Sequence, residues 1–265
     1  MTVEPPDLAE DGWNAEQYGR FADHRFKPAA DLIAALPDGN PRKIVDLGCG
    51  PGAVTMMLAE RWPGADVVGI DGSDDMLATA RQNDTAGRVI WRQGDIGDWH
   101  PTGEDLVFSN AALHWLGDHD VHLKSWLAAM RTGAVLAVQM PNNFREPSHA
   151  IMRDVAGDPR WRDRLFAIAD RMPVASAAEY RAWLTPACAR VDVWETIYEQ
   201  MLSGEDPVLE WLKGAGMRPY LSALHEDERE EFEARCQSAL AEAYPASADG
   251  TTVFPFKRLF VVAEK

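Results

Sequence analysis

Acidic side chains follow the first three apolar runs of the chain, and their types could bind a ligand with hydroxyl and cationic groups. Asp46 stands in `VDLGCGPG`, before three glycines spaced two apart. Glycines lack a Cβ atom, so their backbone can approach a ligand closely. Asp71 ends the next run, `VVGID`, and a carboxylate there is placed to accept both hydroxyls of a ribose. Asp95 and Ile96, in `GDI` after the third run, could accept from an adenine amino group and pack on its ring.

The spacing of the glycines separates two classes of adenosine cofactor. A dinucleotide fingerprint has its last glycine three positions on, whereas here a glycine recurs at every second position. Asp46 would repel a pyrophosphate but suits the amino and sulfonium groups of S-adenosylmethionine. These features favour S-adenosylmethionine over NAD. A tight turn that binds no ligand is the alternative.

Short apolar runs alternate with helical patterns along the chain. Strands are predicted in `RKIVDLG`, `ADVVGID`, `RVIWRQGD`, `EDLVFSN`, `GAVLAVQMP`, `RVDVWETIYEQM` and `TTVFPFKRLFVVAEK`. Helix N-caps are predicted at Ser73, Asp118 and Asp206, and the first helical pattern is predicted to break near Pro28. This order predicts an α/β fold: a doubly wound, Rossmann-like, mostly parallel sheet of seven strands.

The organisation of the 265 residues is interpreted as one domain, 1–265, with its core at about 40–140. An N-terminal helical lid is expected at about 13–37. A helical insertion after strand five is expected at about 142–190.

The net charge of −16 argues against nucleic acid and anionic membranes as partners. No apolar run is long enough to span a membrane, and the acidic N-terminus does not resemble a signal peptide. The three cysteines show neither a disulfide framework nor metal-ligand spacing. We therefore expect a cytoplasmic protein with no metal and no obligate protein partner.

The motifs `VDLGCGPG`, `VVGID`, `GDI` and `FSNAALHW` end successive strands and together resemble the class I S-adenosylmethionine-dependent methyltransferases. The resemblance covers about residues 40–140. It implies that the glycine turn and Asp46 line the methionine end of S-adenosylmethionine, with Asn110 nearby. It places Asp71 at the ribose, and Asp95 and Ile96 at the adenine. The cofactor-binding set is therefore predicted to be Trp13, Asp46, Gly48, Cys49, Gly50, Asp71, Gly72, Asp95, Ile96 and Asn110.

The flanking segments resemble a narrower family within this class, whose members esterify a carboxylate of trans-aconitate. The similar segments include `WNAEQYGRFADHRFKPAADLIAALP`, `VLAVQMPNNFREPSHAIMRDVA`, `LEWLKGAGMRPYL` and `FKRLFVVAEK`. The resemblance runs from about Trp13 to the C-terminus and implies a cytoplasmic carboxyl O-methyltransferase. Three alternatives stay open: methylation of another small O or N nucleophile, S-adenosylmethionine binding without turnover, and an NAD-linked dehydrogenase.

A carboxylate substrate changes what the site must contain. It is ionised at neutral pH, so it needs no general base, and proximity and desolvation should carry the rate. Binding a small anionic substrate in so acidic a chain calls for guanidinium groups. The predicted substrate-binding residues are Arg25, Arg153, Arg218 and Tyr220, with Arg145 and Arg258 next. For each arginine, a solvated surface position or a structural ion pair is the alternative.

His114 and Trp115 follow the fourth strand and are the catalytic candidates, expected to face the transferring methyl group. His114 would serve as a general base only for an alcohol or amine nucleophile. For a carboxylate it would supply a hydrogen bond or shape. Trp13 and Tyr18 are expected to close a lid over the cofactor.

Overall fold

The structure, a computed structural model, describes residues 22–265 of the chain. All seven predicted strands are present: β1 Lys43–Leu47, β2 Asp66–Asp71, β3 Val89–Gln93, β4 Leu106–Asn110, β5 Val135–Pro141, β6 Arg190–Leu202 and β7 Thr252–Glu264. The α-helices of this part are α1 Ala22–Ala34, α2 Ala53–Arg61, α3 Asp74–Asn83, α4 His119–Ala129, α5 Pro147–Ala156, α6 Arg162–Ala169, α7 Ala177–Leu184, α8 Pro207–Lys213, α9 Arg218–Ala223 and α10 Glu226–Ala243. Short 3₁₀ helices lie at Leu113–Trp115 and Thr185–Ala187.

The strands form one sheet in the order β3-β2-β1-β4-β5-β7-β6. The first five strands in this order, β3, β2, β1, β4 and β5, pair in parallel with their neighbours. Strand β7 pairs antiparallel with β5. The predicted doubly wound, mostly parallel sheet is therefore confirmed. The order reverses between β1 and β4, which is the switch point where open α/β sheets bind ligands. Strands β4 and β5 are buried along almost their whole length, as expected for parallel strands covered on both faces.

The chain divides into two compact units. The core unit contains residues 22–141, 173–196 and 258–265 of the described chain, and the helical unit contains residues 142–172 and 197–257. Helices α5, α6 and α7 follow strand five, where the helical insertion was predicted. The single-domain interpretation stays a prediction.

The predicted helix caps differ in outcome. Ser73 caps α3, and its hydroxyl oxygen accepts from the backbone N–H of Met76 at 3.4 Å. Asp118 and Asp206 occupy the predicted N-cap positions, but neither side chain bonds to its helix. Their backbones are left-handed, with φ of 46° each, instead of the extended form that suits a capping side chain. The Asp206 carboxylate accepts instead from Gln237 at 2.5 Å.

Helix α1 runs through Pro28, so the predicted break is wrong. Proline removes one backbone hydrogen bond from a helix. The following turn of α1 buries Leu32 and Ile33, and the helix packs against β5. This apolar packing stabilises α1 in spite of the lost bond.

Candidate active site

The three glycines after β1 all adopt left-handed backbone, with φ of 75° at Gly48, 53° at Gly50 and 85° at Gly52. A Cβ at Gly48 would lie 2.1 Å from the Ala112 Cβ, and one at Gly52 would lie 2.5 Å from the Trp91 ring. Packing within the protein therefore requires these two glycines. Among residues 22–265, nothing lies within 4 Å of where a Cβ at Gly50 would stand, so this part of the chain leaves space at the middle of the turn that a ligand could occupy.

Asp71 holds this glycine turn at the end of β2. Its Oδ2 accepts from the Gly50 N–H at 2.8 Å, and its Oδ1 accepts from the Ser73 N–H at 2.9 Å. Each carboxylate oxygen has a second lone pair, so both can still accept from ribose hydroxyls. The described part of the chain also leaves the Cβ position of the neighbouring Gly72 open. Asp71 and Gly72 therefore fit the adenosine site predicted for them.

Asp46 is a buried carboxylate beside the turn, with only 2% of its surface exposed. The Thr55 hydroxyl donates to its Oδ2 at 2.6 Å, while Oδ1 has no hydrogen-bond partner among the described residues. Burial raises the pKa of Asp46 to about 7, and the negative charge of Asp71 adds to the rise, whereas the Thr55 hydrogen bond opposes it. A cationic group next to Oδ1 would favour the ionised form. The ammonium group of S-adenosylmethionine fits this requirement.

Cys49 lies buried within the glycine turn. Burial raises the pKa of its thiol above the ordinary range, and the charges of Asp46 and Asp71 raise it further. The thiol therefore stays protonated, and its position 3.1 Å from where a Cβ on Gly69 would stand indicates a close-packed filler.

Three of the remaining predicted cofactor residues lie at the end of β4 or just after the end of β3. Asp95 is exposed, and its Oδ1 accepts from the Gly97 N–H at 2.7 Å. The Ile96 side chain reaches the glycine turn, since its Cδ1 would lie 3.2 Å from a Cβ at Gly48. Asn110 is half-buried, and its Oδ1 has no partner in the described part of the chain. Trp13 lies outside the described residues, as does Tyr18.

His114 and Trp115 form the 3₁₀ turn after β4, with ring centroids 4.8 Å apart. A buried pair that sequence reasoning missed supports this turn. His119 Nε2 donates to the Leu113 carbonyl at 2.7 Å, so in the neutral ring Nδ1 accepts from the Tyr180 hydroxyl at 2.5 Å. The `HDVH` stretch revealed a polar helix start, but nothing in it indicated a partner 61 positions away.

Two of the predicted substrate residues lie near each other in the helical unit. The Arg153 guanidinium donates to the Phe144 carbonyl rather than to the carboxylate of its neighbour Asp154. Tyr220 is buried and stacks on Phe232, with ring centroids 5.6 Å apart. Burial raises the pKa of Tyr220 to about 12, and the charge of Arg153 opposes that rise. Burial also lowers the pKa of His149 to about 4, and Arg153 lowers it further. His149 was not predicted and joins this cluster.

The other arginines have varied surroundings. Arg218 is the first residue of α9, because the turn before it leads straight into that helix. Arg145 is exposed, and its acidic neighbour Glu146 pairs instead with Lys257 at 2.7 Å. Arg258 is buried on β7, opposite Pro141 at the carboxyl end of β5. The Arg25 side chain lies outside the described residues.

Two negative findings apply to residues 22–265 only. No helix in this part of the chain is both long enough and apolar enough to span a membrane. No three or more His, Cys, Asp or Glu residues there are grouped so that they could hold a metal ion.

Comparison with known proteins gives the class first. A family model described as a methyltransferase domain matches residues 44–133. The fold is similar to that of phosphoethanolamine N-methyltransferase 2 from Haemonchus contortus in complex with S-adenosylhomocysteine, with a TM-score of 0.51, 16% identity and coverage of 91% of this chain and 52% of that one. The glycine turn at the switch point and this likeness define the S-adenosylmethionine-dependent methyltransferase fold.

Whole-chain similarity narrows the class. The chain is 47% identical to trans-aconitate 2-methyltransferase from Methylobacterium nodulans, over 96% of this chain and 98% of that protein. It is 46% identical to trans-aconitate 2-methyltransferase from Streptomyces avermitilis, over 96% of this chain and 97% of that protein. The chain belongs to the family of trans-aconitate 2-methyltransferases.

Proposed function

We propose that the chain transfers the methyl group of S-adenosylmethionine to a carboxylate of trans-aconitate, giving a monomethyl ester and S-adenosylhomocysteine. Similarity over nearly the whole length of the relatives supports the substrate. The observation that carries the cofactor is the buried Asp46, which has an oxygen without a partner among the described residues beside an open glycine turn.

The residues around the turn have distinct roles in this proposal. Asp46 binds the ammonium group of the cofactor, with Asn110 Oδ1 as a further acceptor. Asp71 accepts from the ribose hydroxyls while it holds the glycine turn in shape. Asp95 and Ile96 bind the adenine. When bound, S-adenosylmethionine supplies an electrophilic methyl group on a sulfonium.

The chemistry demands little of the protein beyond position. A carboxylate oxygen of the substrate forms a bond to the methyl carbon as the carbon–sulfur bond breaks, and no proton is removed. The His114–Trp115 turn shapes the site and excludes water, and the His119–Tyr180 pair keeps that turn in place. Proximity and desolvation then carry the rate.

The substrate is held by guanidinium groups in this proposal. Arg25, Arg153 and Arg218, together with Tyr220, stay the candidates for its carboxylates. The Arg153–Tyr220 cluster supports two of them, since a partly buried positive charge beside a phenol suits an anion. A cytoplasmic location belongs to the same proposal, supported by cysteines that remain thiols in the structure.

The experiment combines product analysis with substitutions. The purified chain is incubated with S-adenosylmethionine and trans-aconitate, and the product is identified by mass. Arg25→Ala, Arg153→Ala and Arg218→Ala are each expected to reduce kcat/KM by about 2–4 kcal/mol through KM for trans-aconitate. Affinity for S-adenosylhomocysteine should stay within about threefold.

The matched control is Arg162→Ala, because Arg162 is exposed and pairs with its neighbour Asp163. It should turn over trans-aconitate like the parent. Absence of a methyl ester with trans-aconitate, together with methylation of an alcohol or amine, would establish the alternative substrate class.

A further inference from the structure

The strand register places a row of polar side chains on one face of the sheet. Asp46 lies opposite Phe108, Asn110 opposite Gln139, and Gln139 opposite Phe260. Residues directly opposite each other, and residues two apart along a strand, share a face. Asp46, Asn110, Gln139 and Arg258 therefore share one face, near the carboxyl ends of β1, β4 and β5.

Gln139 is the unusual member of this row. Its side chain is 0% exposed, in the otherwise apolar strand β5. Neither its Oε1 nor its Nε2 has a hydrogen-bond partner among the described residues. A buried amide with no hydrogen bonds is rare in proteins because its desolvation is uncompensated. A polar ligand at this edge of the sheet would supply the missing partner.

Charge changes sign along the row. Asp46 stands at one end, the amides of Asn110 and Gln139 follow, and the guanidinium of Arg258 stands at the other end with 4% of its surface exposed. Three strand spacings of about 4.8 Å lie between Asp46 and Arg258, and Arg258 stands four residues further along the strand direction, so their backbones are separated by about 20 Å. A cationic methyl donor at the acidic end and an anionic acceptor at the basic end match this gradient.

We propose that Gln139 and Arg258 form a subsite for one carboxylate of the substrate, with Asn110 marking the boundary to the cofactor. The proposal rests on the proposed function. The Gln139 Nε2 donates a hydrogen bond to a carboxylate oxygen, and Arg258 supplies the positive charge. An amide cannot repel the methyl donor, so Gln139 separates the two charged ligands without opposing either.

The experiment measures binding of trans-aconitate by calorimetry to protein loaded with S-adenosylhomocysteine. Gln139→Met conserves volume and removes the amide, and we expect it to weaken trans-aconitate binding about tenfold. Arg258→Lys keeps the charge but loses the forked donors, and we expect a loss of about 30-fold. Affinity for S-adenosylhomocysteine should change by less than about threefold in both. The control is Arg131→Lys, since Arg131 is an exposed arginine paired with Asp105.

Two further readouts separate substrate binding from a structural role. Analogues in which one carboxylate of trans-aconitate is an amide are titrated in turn, and the analogue that lacks the carboxylate bound here should lose less than about threefold in the variants. Gln139→Met should also have a Tm no lower than that of the parent, because it removes an uncompensated buried amide.

The outcomes distinguish failure of the subsite from failure of the proposed function. If the parent methylates trans-aconitate and both variants bind it as the parent does, the subsite is wrong and the proposed function stands. A lower Tm of Gln139→Met with unchanged binding assigns Gln139 to the core and also overturns the subsite. If the parent does not methylate or bind trans-aconitate, the proposed function fails and the subsite fails with it.

Discussion

Asp46→Asn is expected to stabilise the ligand-free protein and to weaken cofactor binding. A pKa raised from 3.8 to about 7 means that the folded protein resists ionising this carboxyl group. The stability that Asp46 contributes is fully present below pH 3.8 and is lost as pH rises through about 7. An asparagine keeps an acceptor for Thr55 and never ionises. The variant should therefore gain up to about 4 kcal/mol over the parent at pH 8, and much less at pH 5.

The same pKa predicts how cofactor affinity depends on pH. If the ammonium group of the ligand binds ionised Asp46, the free protein must lose a proton before it can bind below about pH 7. At pH 5.5 only about 3% of the protein would be ionised at this position, so affinity should be about 30-fold weaker than at pH 8. The asparagine variant should bind more weakly at pH 8 and show no such change across this range.

The assay is calorimetric titration of S-adenosylhomocysteine into the parent and Asp46→Asn at several values between pH 5.5 and 8.5. Thermal unfolding of both proteins without ligand is followed at the same values. The parent should release a proton on binding below pH 7, and this appears as a dependence of the measured enthalpy on the buffer. A parent affinity that is flat with pH, or a variant that binds as tightly as the parent at pH 8, refutes the role given to Asp46.

The remaining predictions concern four other side chains. Asp71→Ala should weaken S-adenosylhomocysteine binding by about 1.5–3 kcal/mol in calorimetry, because two charge-assisted hydrogen bonds to the ribose are lost; unchanged affinity would contradict the ribose role. With saturating cofactor, kcat should be nearly flat from about pH 6.5 to 8.5, and a steep acid limb that disappears in His114→Ala would indicate base catalysis instead. Tyr180→Phe, with its bond to His119 removed, should lower kcat and leave cofactor affinity unchanged, and a fully active variant would show that the turn needs no such support. The His149 pKa of about 4 lies below its unfolded value of 6.5, so the stability that neutral His149 contributes is present above pH 6.5 and lost as pH falls toward 4. In chemical denaturation, the free energy of unfolding of His149→Gln should therefore fall less steeply toward acid pH than that of the parent. Parallel curves would refute this.

The sequence predicted β1 to β5 well because each is a short, mostly apolar run of five to seven residues. Side-chain capping of helix starts was harder to predict, since residue type alone does not determine the backbone conformation that a capping side chain requires. Ser73 is extended and its side chain caps its helix, whereas Asp118 and Asp206 stand at the N-cap in left-handed backbone and their side chains make no capping bond. The loss at Pro28 was compensated by packing that only the folded sheet provides.

The candidate site was predictable only where its residues cluster along the sequence. Asp46 and Asp71 stand at strand ends in recognisable motifs, and the structure joins Asp71 to the glycine turn. Gln139 is a single polar residue in `VLAVQMP`, and its relation to Arg258 depends on the register between β5 and β7. His119 pairs with a residue 61 positions away. Such contacts depend on tertiary structure, which local patterns do not encode.

The division of the chain has a consequence for recombination between relatives. The helical unit consists of residues 142–172 and 197–257, so neither it nor the core unit is a contiguous piece of the described chain. A chimera with one crossover point would join part of a unit from one parent to the rest of that unit from another. Grafting the helical unit from a relative with a different acceptor requires four junctions, and two of them fall inside the long strands β6 and β7. Gene shuffling in this family should therefore recover active hybrids mainly when both segments come from the same parent.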